Sequence, residues 1–165
     1  MDWDTFFMSL VYLIGMKSKD DSTHLGAVIV AEDNTIISVG YNGLPRGVRY
    51  SYQRQQRPEK YYWFEHAERN AVFNAIRIGA NIKDSIMYTN GTPCCDCARA
   101  VIQAGIKKVI VDKSWDSGNK DIWLEQSKKS RVMFAEAGIE LVEWDGEIVR
   151  HIEKFRRGEL IEEES

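Results

Sequence analysis

Ser85-Ile86-Met87-Tyr88-Thr89, then Pro93-Cys94-Cys95-Asp96-Cys97, then Lys108-Val109-Ile110-Val111: these three runs within residues 85–111 decide the fold. The first reads as a short buried strand. Pro93 suits the first turn of a helix, where its missing N–H costs nothing, and that helix ends near Gly105. The third run is another strand. Strands that alternate with helices pair in parallel through crossovers, so this stretch predicts the parallel half of a sheet.

Downstream the alternation continues. A helix is expected over roughly residues 119–137, stopping at Gly138, and Ile139-Glu140-Leu141-Val142-Glu143-Trp144 alternates as a final strand. The tail from Gly146 reads as helical, then frayed. Upstream, Phe6, Phe7, Leu10, Val11, Leu13 and Ile14 recur at helical spacing within residues 2–17. Leu25-Gly26-Ala27-Val28-Ile29-Val30 reads as a buried strand. The turn Glu32-Asp33-Asn34 leads into a second strand, Thr35 to Gly40, making an antiparallel hairpin. Residues 42–64 form a long basic loop of the kind that is functional or mobile. A helix from Glu65 to about Ile78 carries Ala67, Ala71, Val72, Ala75 and Ile76 on its apolar side. The whole is an α/β chain of one domain, 1–165, with a mixed five-stranded sheet between helical layers.

The chain has 165 residues, enough for one domain with its own core. Its formal net charge of -3 lacks the basic surplus of a protein that grips long nucleic acid, which favours a small ligand over a polymer. No apolar run approaches a membrane span. Cys94, Cys95 and Cys97 lie too close together to staple distant segments, which suits metal binding. The start, Met1-Asp2-Trp3-Asp4, has acids where an export signal needs cations. A reducing, cytoplasmic compartment is the expectation.

His66-Ala67-Glu68 opens one helix and Cys94-x-x-Cys97 opens another. Residues three apart on a helix share a face. One imidazole and two thiolates give zinc three ligands, leaving the fourth position for water, as a catalytic zinc requires. Two thiolates cancel the charge of the metal, and helix N-termini favour the thiolate form. A water activated by zinc needs a proton acceptor, and Glu68 stands two residues past the imidazole. Two blander readings use the same residues. A structural zinc could recruit His24, His151 or Cys95 as a fourth ligand, but that leaves Glu68 unexplained. A redox Cys-x-x-Cys leaves His66 and Glu68 unexplained. Cys95, about 100° round the helix from Cys94, reads as a packed thiol.

The pattern H-x-E followed by P-C-x-x-C resembles the signature of the zinc deaminases. The resemblance reaches further, over roughly residues 9–143, and points to the deoxycytidylate (dCMP) deaminase branch of the cytidine deaminase superfamily. Leu25 to Val30 looks like its first strand. Gly40-Tyr41-Asn42-Gly43-Leu44-Pro45 resembles its G-Y-N-G-x-P turn, His66-Ala67-Glu68-Arg69-Asn70-Ala71 its zinc helix, and Gln103 to Ile110 the segment after its cysteines. The resemblance implies a three-layer α/β/α fold, one catalytic zinc on His66, Cys94 and Cys97, and Glu68 as proton shuttle for dCMP deamination. It implies substrate contacts at Ala27, Val28, Asn42 and Ala67, with Lys113 and Trp115 following the strand that faces the site. It also implies a homo-oligomer, a hexamer, activated by dCTP with magnesium and inhibited by dTTP, with Gly40, Tyr41, Asn42, Gly43, Arg46 and Arg49 at the effector site.

The chain departs from the family in three ways, one of them the thiol of Cys95 where relatives usually carry a non-thiol residue. Residues 43–63 hold no Cys or His for the second, structural zinc of some relatives, so one zinc per chain is expected. Residues 113–129 diverge and carry Trp115 and Trp123. For the phosphate, Arg46, Arg49, Arg54, Arg57, Lys60 and Lys113 are all candidates. The rival readings are a zinc deaminase of a modified dCMP, another cytosine nucleoside or nucleotide or guanine, and an inert nucleotide-binding regulatory subunit.

Overall fold

The computed structural model describes residues 1–161. The frayed end expected of the tail lies outside them. Helix α1 (Trp3–Gly15) begins where the Asp2 carboxylate accepts from Thr5 N at 2.8 Å, an N-cap that satisfies one otherwise unpaired donor. Strands β1 (Gly26–Val30) and β2 (Ile36–Tyr41) form the expected hairpin. Helix α4 (Ala67–Arg77), strand β3 (Ile86–Thr89), helix α5 (Cys95–Gln103), strand β4 (Lys108–Asp112), helix α7 (Asp121–Ala137) and strand β5 (Glu140–Trp144) follow in the predicted alternation.

The sheet runs β2-β1-β3-β4-β5. β1 is antiparallel to both β2 and β3, whereas β3, β4 and β5 are mutually parallel. Both faces are covered. Along β1 the pleat sends Ala27 and Ile29 into a core with Ala67, Ala71 and Val101 from α4 and α5. Val28 and Val30 point the other way, to Phe7, Met8 and Val11 of α1. A strand buried on both sides has no solvent face for polar residues, so Leu25–Val30 reads as a continuous apolar run.

Two expectations need correction. The tail from Gly146 is not helical: residues 146–153 are irregular, and β6 (Lys154–Arg156) pairs antiparallel with β7 (Glu159–Ile161) across Arg157-Gly158. Phe155 and Leu160 are exposed, so no apolar stripe draws this segment onto the body as a helix. The 42–64 loop carries two single-turn helices, α2 (Tyr52–Gln55) and α3 (Lys60–Trp63). Another short helix, α6 (Lys113–Asp116), precedes α7. No helix of the described residues is long and apolar enough to cross a membrane.

α4 lies unusually close to the sheet at Gly40. A Cβ there would stand 2.3 Å from Ala71 N and 2.4 Å from Ala67 O, both helix backbone that cannot swing aside. Gly40→Ala is therefore expected to cost about 3 kcal/mol, the upper end for overpacking. A urea midpoint unchanged from the parent would refute this close approach. The same contact seats the first turn of α4, where the candidate site begins.

Candidate metal and active site

His66 is the N-cap of α4 and Cys94 the N-cap of α5, both in extended conformation, with Cys97 one turn into α5. The packing of α4 against α5 brings the three together, their ligating atoms all within 4.8 Å of one another. His66 Nδ1 is 3.4 Å from Cys94 Sγ and 3.5 Å from Cys97 Sγ. A tetrahedral zinc with ordinary Zn–N and Zn–S bonds holds N and S about 3.5 Å apart, so the three side chains fit that metal. Among the described residues no other His, Cys, Asp or Glu joins the group; His24, His151 and Cys95 stay outside it. Cys95 turns to α7, its Sγ 3.7 Å from Gln126 O.

The electrostatics suit a cation. The Cys94 thiol is pulled down to about 4, first by the hydrogen bond from Cys97 and then by His66, although burial opposes it. The shared hydrogen bond with Cys94, with burial behind it, pushes Cys97 well above the usual thiol range. Cys94 is thus the readier of the two to ionise, and binding a dication would expel any proton left on the pair because thiolate is the ligand. Both helix N-termini point partial positive charge at the sulfurs. Glu68 is buried, its Oε2 3.6 Å from Cys97 Sγ, and burial raises its carboxyl above the ordinary range.

The cluster opens into a cavity of about 600 Å³ lined by His66, Glu68 and Cys94. One wall is Trp115 on α6. Its indole lies against Gly91, where a Cβ would sit 2.5 Å from the ring. Asp116 beside it accepts from Thr92 N at 2.8 Å, from the Arg131 guanidinium at 2.8 Å and from Asn119 at 3.2 Å. That node ties the turn before Cys94 to α6. Also on the lining are Trp123, with its ring centroid 6.3 Å from that of His66, and Tyr61, 6.4 Å from Trp123. Another wall is polar, with Asp20, Thr23, Asn42, Arg57 and Lys60.

The sequence-derived contacts divide. Asn42 and Trp115 line the cavity. Asn42 is heavily engaged there: its Oδ1 accepts from Leu25 N at 2.8 Å, and its Nδ2 donates to Thr23 O at 2.9 Å and Asp20 Oδ2 at 3.1 Å. Its amide protons are spent inside the protein, leaving only a second lone pair of Oδ1 for a ligand hydroxyl. Ala27 and Ala67 are fully buried in the core and are not among the residues that line the cavity. Val28 is a correction: the pleat turns it to the α1 side of the sheet, away from the site. Lys113 is another, since its exposed ammonium pairs with Asp145 at 2.8 Å rather than facing the cavity.

The turn assigned to an effector is only partly accessible. Gly40 lies under α4, Gly43 exchanges backbone hydrogen bonds with Glu65 at 3.0 and 2.8 Å, and Asn42 is buried. Tyr41, Arg46 and Arg49 are exposed, with Arg46 bonded to Asn74 at 2.6 Å. Sequence reasoning did not single out Asp20, Tyr61 or Thr92 for the site, and named Trp123 only as part of a divergent segment. No local spacing marks them, because they reach the cavity from four separate segments.

Comparisons with known proteins agree with this geometry. The family described as the cytidine and deoxycytidylate deaminase zinc-binding region matches residues 1–113. The chain is 37% identical over 147 residues to a deoxycytidylate deaminase of Mus musculus, covering 84% of this chain and 78% of that one. The deoxycytidylate deaminase of Homo sapiens is 35% identical over the same coverage. Among solved structures, the dCMP deaminase from the cyanophage S-TIM5 in complex with dCMP and dUMP superposes with a TM-score of 0.69 at 23% identity, covering 86% of this chain and 96% of that one.

Proposed function

Because the chain belongs to the cytidine and deoxycytidylate deaminase family, we propose that its reaction is the hydrolysis of dCMP to dUMP and ammonia with one zinc per chain. The observation that carries it is the buried Glu68 carboxylate beside the His66–Cys94–Cys97 cluster at the floor of a nucleotide-sized cavity. His66, Cys94 and Cys97 would hold the metal. When bound, zinc supplies the Lewis acidity that brings the pKa of a water towards about 7. Glu68 accepts that water's proton, passes it to the cytosine ring nitrogen and helps deliver a proton to the departing amine. Burial raises the proton affinity of Glu68, which suits a group that takes a proton up before handing it on. Trp115 and Trp123 give the base apolar walls and limit bulk water around it.

The names of the mouse and human relatives support a nucleotide rather than a nucleoside, and so does the cationic Arg57 on the polar wall. The expected result is a kcat/KM for dCMP at least about thirtyfold above that for deoxycytidine. Ammonia release across dCMP, CMP, deoxycytidine, 5-substituted dCMP and guanine checks this. Efficiencies on dCMP and deoxycytidine within about a factor of three, well under 1 kcal/mol, would reject the nucleotide reading. Three free thiols suit a reducing, cytoplasmic setting.

Regulation by dCTP with magnesium and by dTTP, in a hexamer, belongs to the same reading. With Gly40 and Gly43 buried, the exposed Tyr41, Arg46 and Arg49 are the groups left to meet a triphosphate. An effector acts only by binding the active state more tightly than the inactive one, and a subunit interface can supply the two states. The expected result is a sigmoidal dCMP response that dCTP–magnesium makes more hyperbolic, with a hexameric mass by light scattering. A monomer with a hyperbolic response indifferent to both triphosphates would remove this part and leave the enzyme.

A further inference from the structure

The basic residues between Asn42 and Phe64, together with Lys113, compete for one role, and the structure separates them. Arg46 is bonded to Asn74. Arg54 donates to Arg49 O and lies 3.8 Å over the Trp63 ring. Lys113 faces Asp145. Arg49 is not on the cavity wall, which leaves Arg57 and Lys60. These two differ in kind. The Lys60 ammonium is buried and locked, 2.7 Å from Asp20 Oδ1 and 2.6 Å from Ser22 Oγ. Its charge is already cancelled by Asp20. Arg57 has no hydrogen-bond or ion-pair partner among the described residues.

The buried pair explains why Arg57 stays where it is. Asp20 collects Ser22 N at 2.8 Å, Thr23 N at 3.2 Å, Asn42 Nδ2 at 3.1 Å and Lys60. Gln55 spans to the same segment, accepting from Asp21 N at 3.2 Å and donating to Lys19 O at 2.9 Å. Arg57 therefore lies between two anchored points, Gln55 and Lys60, on the rim of the cavity. A buried ion pair is a poor investment in stability alone, since an apolar pair of like volume does as well. Its position here fixes the approach of the loop to the cavity. Of the acids on the wall, Asp20 is paired with Lys60 and Glu65 with Arg69, and Glu68 lies at the Cys97 sulfur.

Resting on the reading of the substrate as a nucleotide, we propose that Arg57 is the specificity-determining residue that takes the substrate's phosphate, with the Asp20–Lys60 pair holding its loop in place. A guanidinium offers a planar fork of donors matched to phosphate oxygens, and this one is the cation on the wall without a counter-charge of its own.

The test measures kcat and KM on dCMP and on deoxycytidine, and the affinity of dUMP and of deoxyuridine by calorimetry, for the zinc-loaded parent and Arg57→Gln. Expected for Arg57→Gln is a loss of about thirtyfold in kcat/KM on dCMP, carried by KM, with dUMP weakened to a similar degree. Deoxycytidine turnover and deoxyuridine affinity stay within about twofold. Arg57→Lys recovers part of the loss, because it keeps the charge without the fork. Equal losses on nucleotide and nucleoside would show a merely structural residue, and an unchanged preference for dCMP would show that another group holds the phosphate; either overturns the assignment. A parent enzyme that does not discriminate dCMP from deoxycytidine would instead overturn the nucleotide reading on which it rests.

Discussion

Glu68→Gln is expected to lower turnover of dCMP by at least about a hundredfold, close to 3 kcal/mol in the barrier, while zinc content and nucleotide binding hold. The amide reproduces the size of the carboxylate but cannot accept a proton from water. Glu68 is not among the atoms that fit the metal; its Oε2 stands 3.6 Å from Cys97 Sγ, beside the cluster. Folding should not suffer. The folded carboxyl titrates above its unfolded value because burial penalises the charged form, so above the unfolded value Glu68 weakens the fold, and a neutral amide removes that cost. The measurement is kcat by ammonia release beside zinc content by mass spectrometry and Tm. Near-normal kcat would mean that another group moves the proton. A fall in kcat that tracks lost zinc would place Glu68 in the metal site instead.

Cys94→Ala and Cys97→Ala should each strip most of the zinc and abolish turnover, whereas Cys95→Ser should keep about one zinc per chain. Removing one thiolate leaves two ligands and an uncompensated charge, far from the three protein ligands of a catalytic zinc. Cys95 is a fair comparator because it lies on the same turn of α5 yet faces Gln126. Cys97 is wholly buried, so its loss also opens a small void, whereas Cys94 at the N-cap is not wholly enclosed. Agreement between the two Ala variants separates metal loss from packing. Full zinc retention in both would sink the ligand assignment, and zinc loss in Cys95→Ser would show that the helix, not the ligand set, governs occupancy.

The features legible along the chain were local ones. The order of strands and helices followed from periodicity. The parallel half of the sheet followed from the strand–helix–strand unit at 85–111 and its continuation to Trp144. His66, Cys94 and Cys97 were legible because each lies at or within one turn of a helix start, where short spacings fix which side chains share a face. Tertiary structure alone decided the rest. Nothing within a few residues of Lys60 reveals that its ammonium is neutralised by Asp20, since the two meet only when the 42–64 loop folds back on the segment before β1. The same closure consumed the amide protons of Asn42 and left Arg57 free on the cavity wall. Lys113 was lost to Asp145 at the end of β5 for the same reason. Val28 is the instructive exception: the period-two pleat already separated it from Ala27, but only the position of α1 said which of the two faces away from the metal. Spacing along a chain fixes the geometry of neighbours, whereas the partner of a long charged side chain is set by whichever distant segment the fold delivers to it.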